Sequence, residues 1–316
     1  MIEPFWQYLA AIPGIGLPLS LIWGAYIVAM GIWIIWEKRE PVATLGWLLA
    51  LAALPLLGFF VYYLLGPRRI KRQRLRRLRA RTALATRAPE DNDDAAATQL
   101  ATLAQRTTGL GPTHMLAPTL LGDGASTYDA MLEAIAGAGH HVHLASYIFD
   151  PDQTGRRFRD ALLAKAREGV RVRVLLDSVG SARLRHAFFE ALLAAGGEVA
   201  WFHPVRLPLL RRPTLNQRSH RKILIVDGTT GFTGGGNISD MQDRRCRPDA
   251  HCDLHLRFGG SAVQALQLAF LEDWAYVTGV ALRDSALWPR AECGGAPALV
   301  IPSGPDTRWE AFHRIS

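Results

Sequence analysis

Residues 220–237, HRKILIVDGTTGFTGGGN, gather the groups that chemistry at a phosphorus centre needs. Residues two apart along an extended chain face the same way, so His220 and Lys222 sit side by side while Ile223 and Ile225 turn to the other face. A neutral imidazole beside a fixed ammonium is a nucleophile next to an anion holder. Asp227 closes the apolar run that follows them. Gly234, Gly235 and Gly236 then form a turn whose backbone can approach a ligand without Cβ atoms in the way, and Asn237 presents an amide donor beside it. A plain glycine hairpin with an Asn cap explains that turn equally well in isolation. Its fixed distance from His220 and Lys222 favours the functional reading.

A metal is not needed for this chemistry, and the sequence implies no cofactor. Cys246, His251, Cys252 and His255 have ligand chemistry, but Cys252 and His255 are expected on opposite faces of the strand CDLHLRF, and no second Cys pair completes a zinc pattern. The three cysteines, with Cys293, are an odd number in a domain expected on the reducing side, so no structural disulfide is expected.

The elements that must position these groups are legible as alternating patterns. Residues 123–139 have helical spacing at Tyr128, Met131, Leu132 and Ile135, and 142–149 read as a buried strand. Thr154 is a candidate cap for a helix burying Phe158, Leu162 and Leu163; residues 170–177 form a strand, 184–195 a helix and 198–203 a strand. The alternation predicts an α/β layer structure with a largely buried sheet. The loop 204–218 carries three prolines and Arg206, Arg211, Arg212 and Arg218, with Arg221 just after it. Positive charge before a catalytic strand suits a phosphate-bearing substrate, although a solvated surface loop accounts for each arginine as well.

The N-terminal part belongs to a different solvent. Residues 4–36 and 41–67 contain no Asp, Glu, Lys or Arg, and each stretch exceeds the roughly 20 apolar residues that cross a bilayer. With only EKRE between them they read as a two-helix transmembrane hairpin, 1–66, rather than as a cleaved signal peptide, which would have a basic start and a shorter apolar run. Arg68, Arg69, Lys71, Arg72, Arg74, Arg76, Arg77, Arg79 and Arg81 follow at once. The positive-inside rule puts that side, and both termini, in the cytoplasm. These nine account for the net charge of +8, since the remaining 27 Lys and Arg face 28 Asp and Glu. A basic run beside a span is matched to anionic lipid headgroups. Nucleic acid is not favoured, because the run lacks interleaved aromatics and the rest of the chain has no basic excess. Residues 67–112 read as this basic segment and an Ala/Thr-rich tether.

The run from His220 to Asn237 resembles the HxKxxxxD signature of the phospholipase D superfamily with its Gly-rich turn, Gly235 standing where the family often has Ser. Within the superfamily the chain is most similar to bacterial cardiolipin synthases. The similarity is carried by WEKREPVATLGWLLALAALPLLGFFVYYLLGPRR, by HLASYIFDPDQTGRRFRDALLAKAREGVRVRVLLDSVGS and by DLHLRFGGSAVQALQLAFLEDW, and it covers nearly everything from Ile32 onward.

The resemblance implies a phospholipase D-like mixed sheet flanked by helices over 113–296, behind the transmembrane hairpin. It implies catalysis by His220, Lys222 and Asp227, the last as a structural partner rather than a proton carrier. Asn237 and Gly235 would meet the substrate, and Asp253 would orient the nucleophile. The implied reaction moves a phosphatidyl group between phosphatidylglycerol molecules in a bacterial inner membrane, with the catalytic domain cytoplasmic. The family's second HxK motif does not occur in this sequence; the tail, 297–316, resembles the opening of a second half that then stops. The end therefore reads as a truncation; a second half could come from a dimer or another chain, although a tail that begins a second half argues against self-pairing. A phosphodiester hydrolase and a catalytically silent membrane scaffold remain as alternative readings.

Overall fold

The computed structural model describes residues 110–202, 219–292 and 294–302, with isolated helical positions at 21, 24–26, 28, 29, 32, 45, 46, 49 and 105. The chain divides into two units, Met1–Arg69 with Leu207–Asn216, and Ile70–Arg206 with Gln217–Ser316. In the first, the described positions are helical, and Leu21, Val28, Ile32, Leu45 and Leu49 are exposed. Among the described residues no helix is long and apolar enough to cross a membrane. The expected spans, the basic segment with nearly all of its tether, the arginine loop and the tail past 302 lie for the most part outside the described residues.

The second unit is built on one mixed sheet. In chain order its elements are β1 (Thr113–Leu121), α1 (Gly124–Ala136), β2 (His141–Ser146), α2 (Gln153–Arg167), β3 (Arg171–Asp177), α3 (Glu190–Ala194), β4 (Glu198–Phe202), β5 (Ile223–Val226), β6 (Thr230–Gly234), β7 (His255–Gly259), α4 (Ser261–Thr278) and β8 (Ala296–Ala298). The strand order is β4-β3-β2-β5-β6-β7-β1-β8. β4, β3 and β2 are parallel, and every later neighbour is antiparallel.

Every residue of β2 is buried, the signature of a strand covered on both faces. On one face Val142, Leu144, Val174, Leu176, Leu224 and Phe232 meet Tyr128 and Ile135 of α1 and Phe158 and Leu162 of α2. On the other, Ala145, Leu175, Ile223, Ile225 and Phe258 meet Leu266, Phe270 and Trp274 of α4.

Several expected boundaries move, each for a local reason. β2 ends at Ser146 because Ser181 Oγ takes the Tyr147 carbonyl at 3.1 Å and Asn237 Oδ1 takes the Ile148 N–H at 3.2 Å, which draws the backbone off the ladder. The N-cap of α2 is Asp152, whose side chain accepts from Gly155 N at 2.9 Å, rather than Thr154. Thr154 lies in the first turn with its N–H on Asp240 Oδ1 at 2.7 Å. The expected helix over 184–195 is a 3-10 turn at His186–Phe189 followed by the short α3, because Phe188 and Phe189 both turn their rings onto Phe149. β7 begins at His255, so Cys252 precedes the strand on which it was expected.

Candidate active site

Strand direction assembles the site. β2 and β3 run parallel, β5 is antiparallel to β2, and β6 and β7 alternate in turn. The C-terminal ends of β2, β3 and β6 therefore share one edge with the N-terminal ends of β5 and β7. That edge carries Tyr147, Asp177, the turn of Gly234, Gly235 and Gly236 with Asn237, then His220 with Lys222, and Asp253 with His255.

His220 and Lys222 lie in extended chain just before β5 rather than within it. Alternation still holds, because Arg221 between them points to the opposite face and pairs with Asp273 of α4 at 2.5 Å. The exposed His220 ring stacks on Tyr147, with centroids 3.9 Å apart and planes at 17°. Lys222 Nζ donates to the His220 carbonyl at 3.0 Å and lies 5.3 Å from the centre of the Tyr147 ring.

The surroundings favour the neutral imidazole over the charged one. Partial burial lowers the His220 pKa below its ordinary value, the Lys222 ammonium pushes the same way, and Asp177 opposes both. Burial also lowers Lys222, with Asp253 working against it. Asp177, itself buried, takes Val179 N and Gly180 N on one oxygen and Ser219 N on the other at 3.1 Å, pinning the backbone beside His220.

The glycine turn is packed rather than merely flexible. A Cβ on Gly234 would lie 2.2 Å from the Leu254 carbonyl, and one on Gly235 would lie 2.4 Å from Asp253 Oδ1. Gly235 therefore lets the Asp253 carboxylate close on the turn, where Gln242 Nε2 donates to it at 2.5 Å. Asn237 is held from α1, whose Tyr128 hydroxyl donates to the Asn237 carbonyl at 2.6 Å. Its side-chain oxygen is engaged with Ile148, which leaves the amide nitrogen as a donor. A small cavity lined by Lys222, Gly236, Asn237, His255 and Ser146 opens here. His255 is buried in it as a neutral ring, held near 4 by burial, with Asp253 opposing and Lys222 reinforcing.

The fold thus gathers His220, Lys222, Gly235, Asn237 and Asp253 at one edge, with Asp253 bonded to Gln242 rather than to His220. Asp227 is not among them. It lies at the far end of β5, where its carboxylate accepts from Gly139, His140 and His141 N–H, each at 2.8 Å, and its φ of 52° turns the chain toward β6. Arg221, counted with the loop arginines, is committed to Asp273. Tyr147, Asp177, Gln242 and His255 escape sequence reading. Asp177 alone leaves a signal, since an acid closing the apolar strand VRVRVLLD is the same anomaly that marks Asp227. Cys246 and Cys252 are free thiols, and among the described residues no group of three or more His, Cys, Asp or Glu is placed to hold a metal.

Comparison with known proteins bears on the same residues. A family model described as "Cardiolipin synthase, PLD-like domain" matches residues 131–247, and one described as "Phospholipase_D-nuclease N-terminal" matches 21–67. A protein named cardiolipin synthase from Alkalihalophilus pseudofirmus is 39% identical over 314 residues, covering 94% of this chain and 62% of that protein. Another of that name from Halalkalibacterium halodurans is 37% identical, covering 92% and 60%. The chain thus spans about three fifths of the length of these curated relatives. Among solved structures, the phospholipase D family member Nuc from Salmonella typhimurium aligns with a TM-score of 0.38 at 18% identity, covering 51% of this chain and 96% of that one.

Proposed function

We propose, from the premise that residues 131–247 are a phospholipase D-like domain of the cardiolipin synthase family, that this chain supplies a nucleophilic half of a membrane phosphatidyltransferase. The observation that carries the reading is the position of the His220 ring, beside Lys222 at the edge of the sheet that also holds Asn237, where partial burial and the ammonium both disfavour its charged form. In the proposed reaction a His220 nitrogen attacks the phosphorus of one phosphatidylglycerol. The phosphorus–oxygen bond to the terminal glycerol breaks, and a second acid protonates the departing alkoxide. A hydroxyl of a second phosphatidylglycerol, losing its proton to that same group, then attacks the phosphohistidine and frees the imidazole. Lys222 and the Asn237 amide balance the charge on the phosphoryl oxygens. We assign the second acid to a second HxK motif that lies outside residues 1–316.

The charge-free stretches 4–36 and 41–67, with exposed Leu, Val and Ile at described helical positions, support a membrane hairpin. The basic run after it supports a cytoplasmic catalytic domain in contact with anionic lipid. The test is synthesis of cardiolipin from labelled phosphatidylglycerol by the chain supplied with a second half. His220→Ala is expected to abolish it, and undiminished synthesis would exclude His220 as nucleophile. Excess glycerol separates transfer from hydrolysis: a transferase runs backwards, whereas a hydrolase releases phosphatidic acid.

A further inference from the structure

We propose that Tyr147 is the positioning residue of the nucleophile, its ring face being the surface on which the His220 imidazole bears positive charge. The proposal rests on the reading of His220 as nucleophile for its role, but on geometry for its content. Two neutral aromatic rings avoid a close face-to-face sandwich and prefer offset or edge contacts with centroids further apart. The His220 and Tyr147 rings are nearly parallel at 3.9 Å. The uncharged ring is thus held where a positive one, as in the covalent intermediate, would be favoured above an electron-rich face. Lys222 Nζ, 5.3 Å from the same centroid, brings a second positive group to the ring.

The pair is held deliberately close. The turn 177–181 grips both partners: Ser181 Oγ donates to the Tyr147 carbonyl and accepts from Phe149 N, while Asp177 accepts from Ser219 N beside His220. Gly180 lies flush under Tyr147, where a Cβ would come within 2.2 Å of the Tyr147 carbonyl. The chemistry explains why such a grip is useful. When one ring nitrogen bonds phosphorus and the other keeps its proton, the ring is formally positive. A π face beneath it then favours the covalent intermediate over the free ring.

The test uses the full chain in detergent with labelled histidine, the His220 resonance being assigned by its loss in His220→Ala. Tyr147 is replaced by Phe, by Leu, and by trifluoro- and pentafluorophenylalanine, which keep the shape but withdraw the electron density of the face. Tyr147→Phe is expected to leave the His220 titration midpoint in place. The midpoint should fall stepwise along the fluorinated series, by about half a pH unit at its end, with Tyr147→Leu falling similarly. A flat series overturns the proposal, and the isosteric rings keep that outcome readable if Tyr147→Leu does not fold.

Phosphoramidate gives the second readout. Its phosphorus–nitrogen bond breaks as a His220 nitrogen bonds phosphorus, and the released nitrogen takes a proton and leaves as ammonia. The lifetime of that adduct should shorten about two- to five-fold in the pentafluoro variant. A wild-type His220 that phosphoramidate does not phosphorylate, together with a falling midpoint in the fluorinated series, would remove the nucleophile reading and leave the charge-supporting stack standing.

Discussion

Arg221 Nη1 lies 2.5 Å from Asp273 Oδ2, and the side chains are only 16% and 2% exposed, so the residue between His220 and Lys222 is fastened to α4 behind the sheet. Because neighbours in an extended chain point oppositely, this fastening is what turns the two flanking groups toward the site. Removing one member of a buried pair strands the other charge, at a cost of about 3–5 kcal/mol. Arg221→Met is therefore expected to lose stability of that order in urea denaturation, and the double variant R221M/D273L to recover most of it. A single variant as stable as wild type would mean that the pair anchors nothing.

Asp227 makes a contrasting prediction, because the chemistry it resembles and the place it occupies differ. Its three backbone donors lie at the start of β2. Four residues of β5 separate it from Lys222, on the order of 15 Å at a strand's rise. Asp227→Ala should cost about 3 kcal/mol by leaving those donors short of a partner, while Asp227→Asn, which keeps one oxygen and tolerates the left-handed backbone, should cost about a third as much. Neither change should move the His220 titration midpoint measured by NMR. A shift in Asp227→Asn as large as half a pH unit would place Asp227 in the site after all.

These two cases show what a sequence discloses and what it conceals. The strands were legible because burial on both faces leaves unbroken apolar runs, and His220, Lys222 and Asn237 because their spacing within one short segment is itself the geometry. Tyr147 and Gln242 were not, since their partners His220 and Asp253 are chosen by tertiary contact, and an aromatic at the end of an apolar run reads as more strand. The α2 cap, read at Thr154 and found at Asp152, was misplaced for a different reason. Asp152 and Thr154 are both good caps, and the choice falls to Asp240, which occupies the Thr154 N–H from a distant turn.

The glycine turn yields a graded test. A Cβ on Gly234 would meet the Leu254 carbonyl, which is backbone and cannot yield without breaking the β6–β7 pairing, whereas one on Gly235 would meet the end of the Asp253 side chain, which can rotate. Gly234→Ala should therefore be severely destabilised, by roughly 3 kcal/mol or more, as expected of overpacking against a rigid neighbour. Gly235→Ala should fold with a loss of about 1 kcal/mol. Displacing Asp253 also removes the negative charge that opposes the lowering of the Lys222 ammonium. Denaturation midpoints give the first comparison, and the rate of Lys222 modification by an amine reagent against pH gives the second. Equal stability of the two alanine variants would contradict this packing.

Acid should unfold the domain in two stages, and the order follows from which groups resist protons. His141 and His143 are fully buried against α4, with Gln267 and Phe270 over them, Arg171 and Arg173 of β3 beside them, and His140 and Asp227 at their end of the sheet. Burial lowers His141 to about 4 and takes His143 well below its ordinary value, neighbouring cations adding to both. From pH 6.5 or so, the ordinary histidine value, down to about 4, the unfolded chain binds protons that the folded chain refuses, so stability falls as pH falls. The His141 shift alone corresponds to about 3 kcal/mol over that window. Asp227 adds the second stage: burial raises its carboxyl, the three backbone N–H groups more than offset this, and the net lowering means its contribution persists above the ordinary carboxylate value and is lost as pH drops through the lower folded one. Urea midpoints measured from pH 7.5 to 4 should decline through the histidine range, and His143→Gln, which retains a partner for Gln267, should flatten the decline. A midpoint constant from pH 7.5 to 4.5 would show that these rings accept protons in the folded state as readily as in the unfolded one.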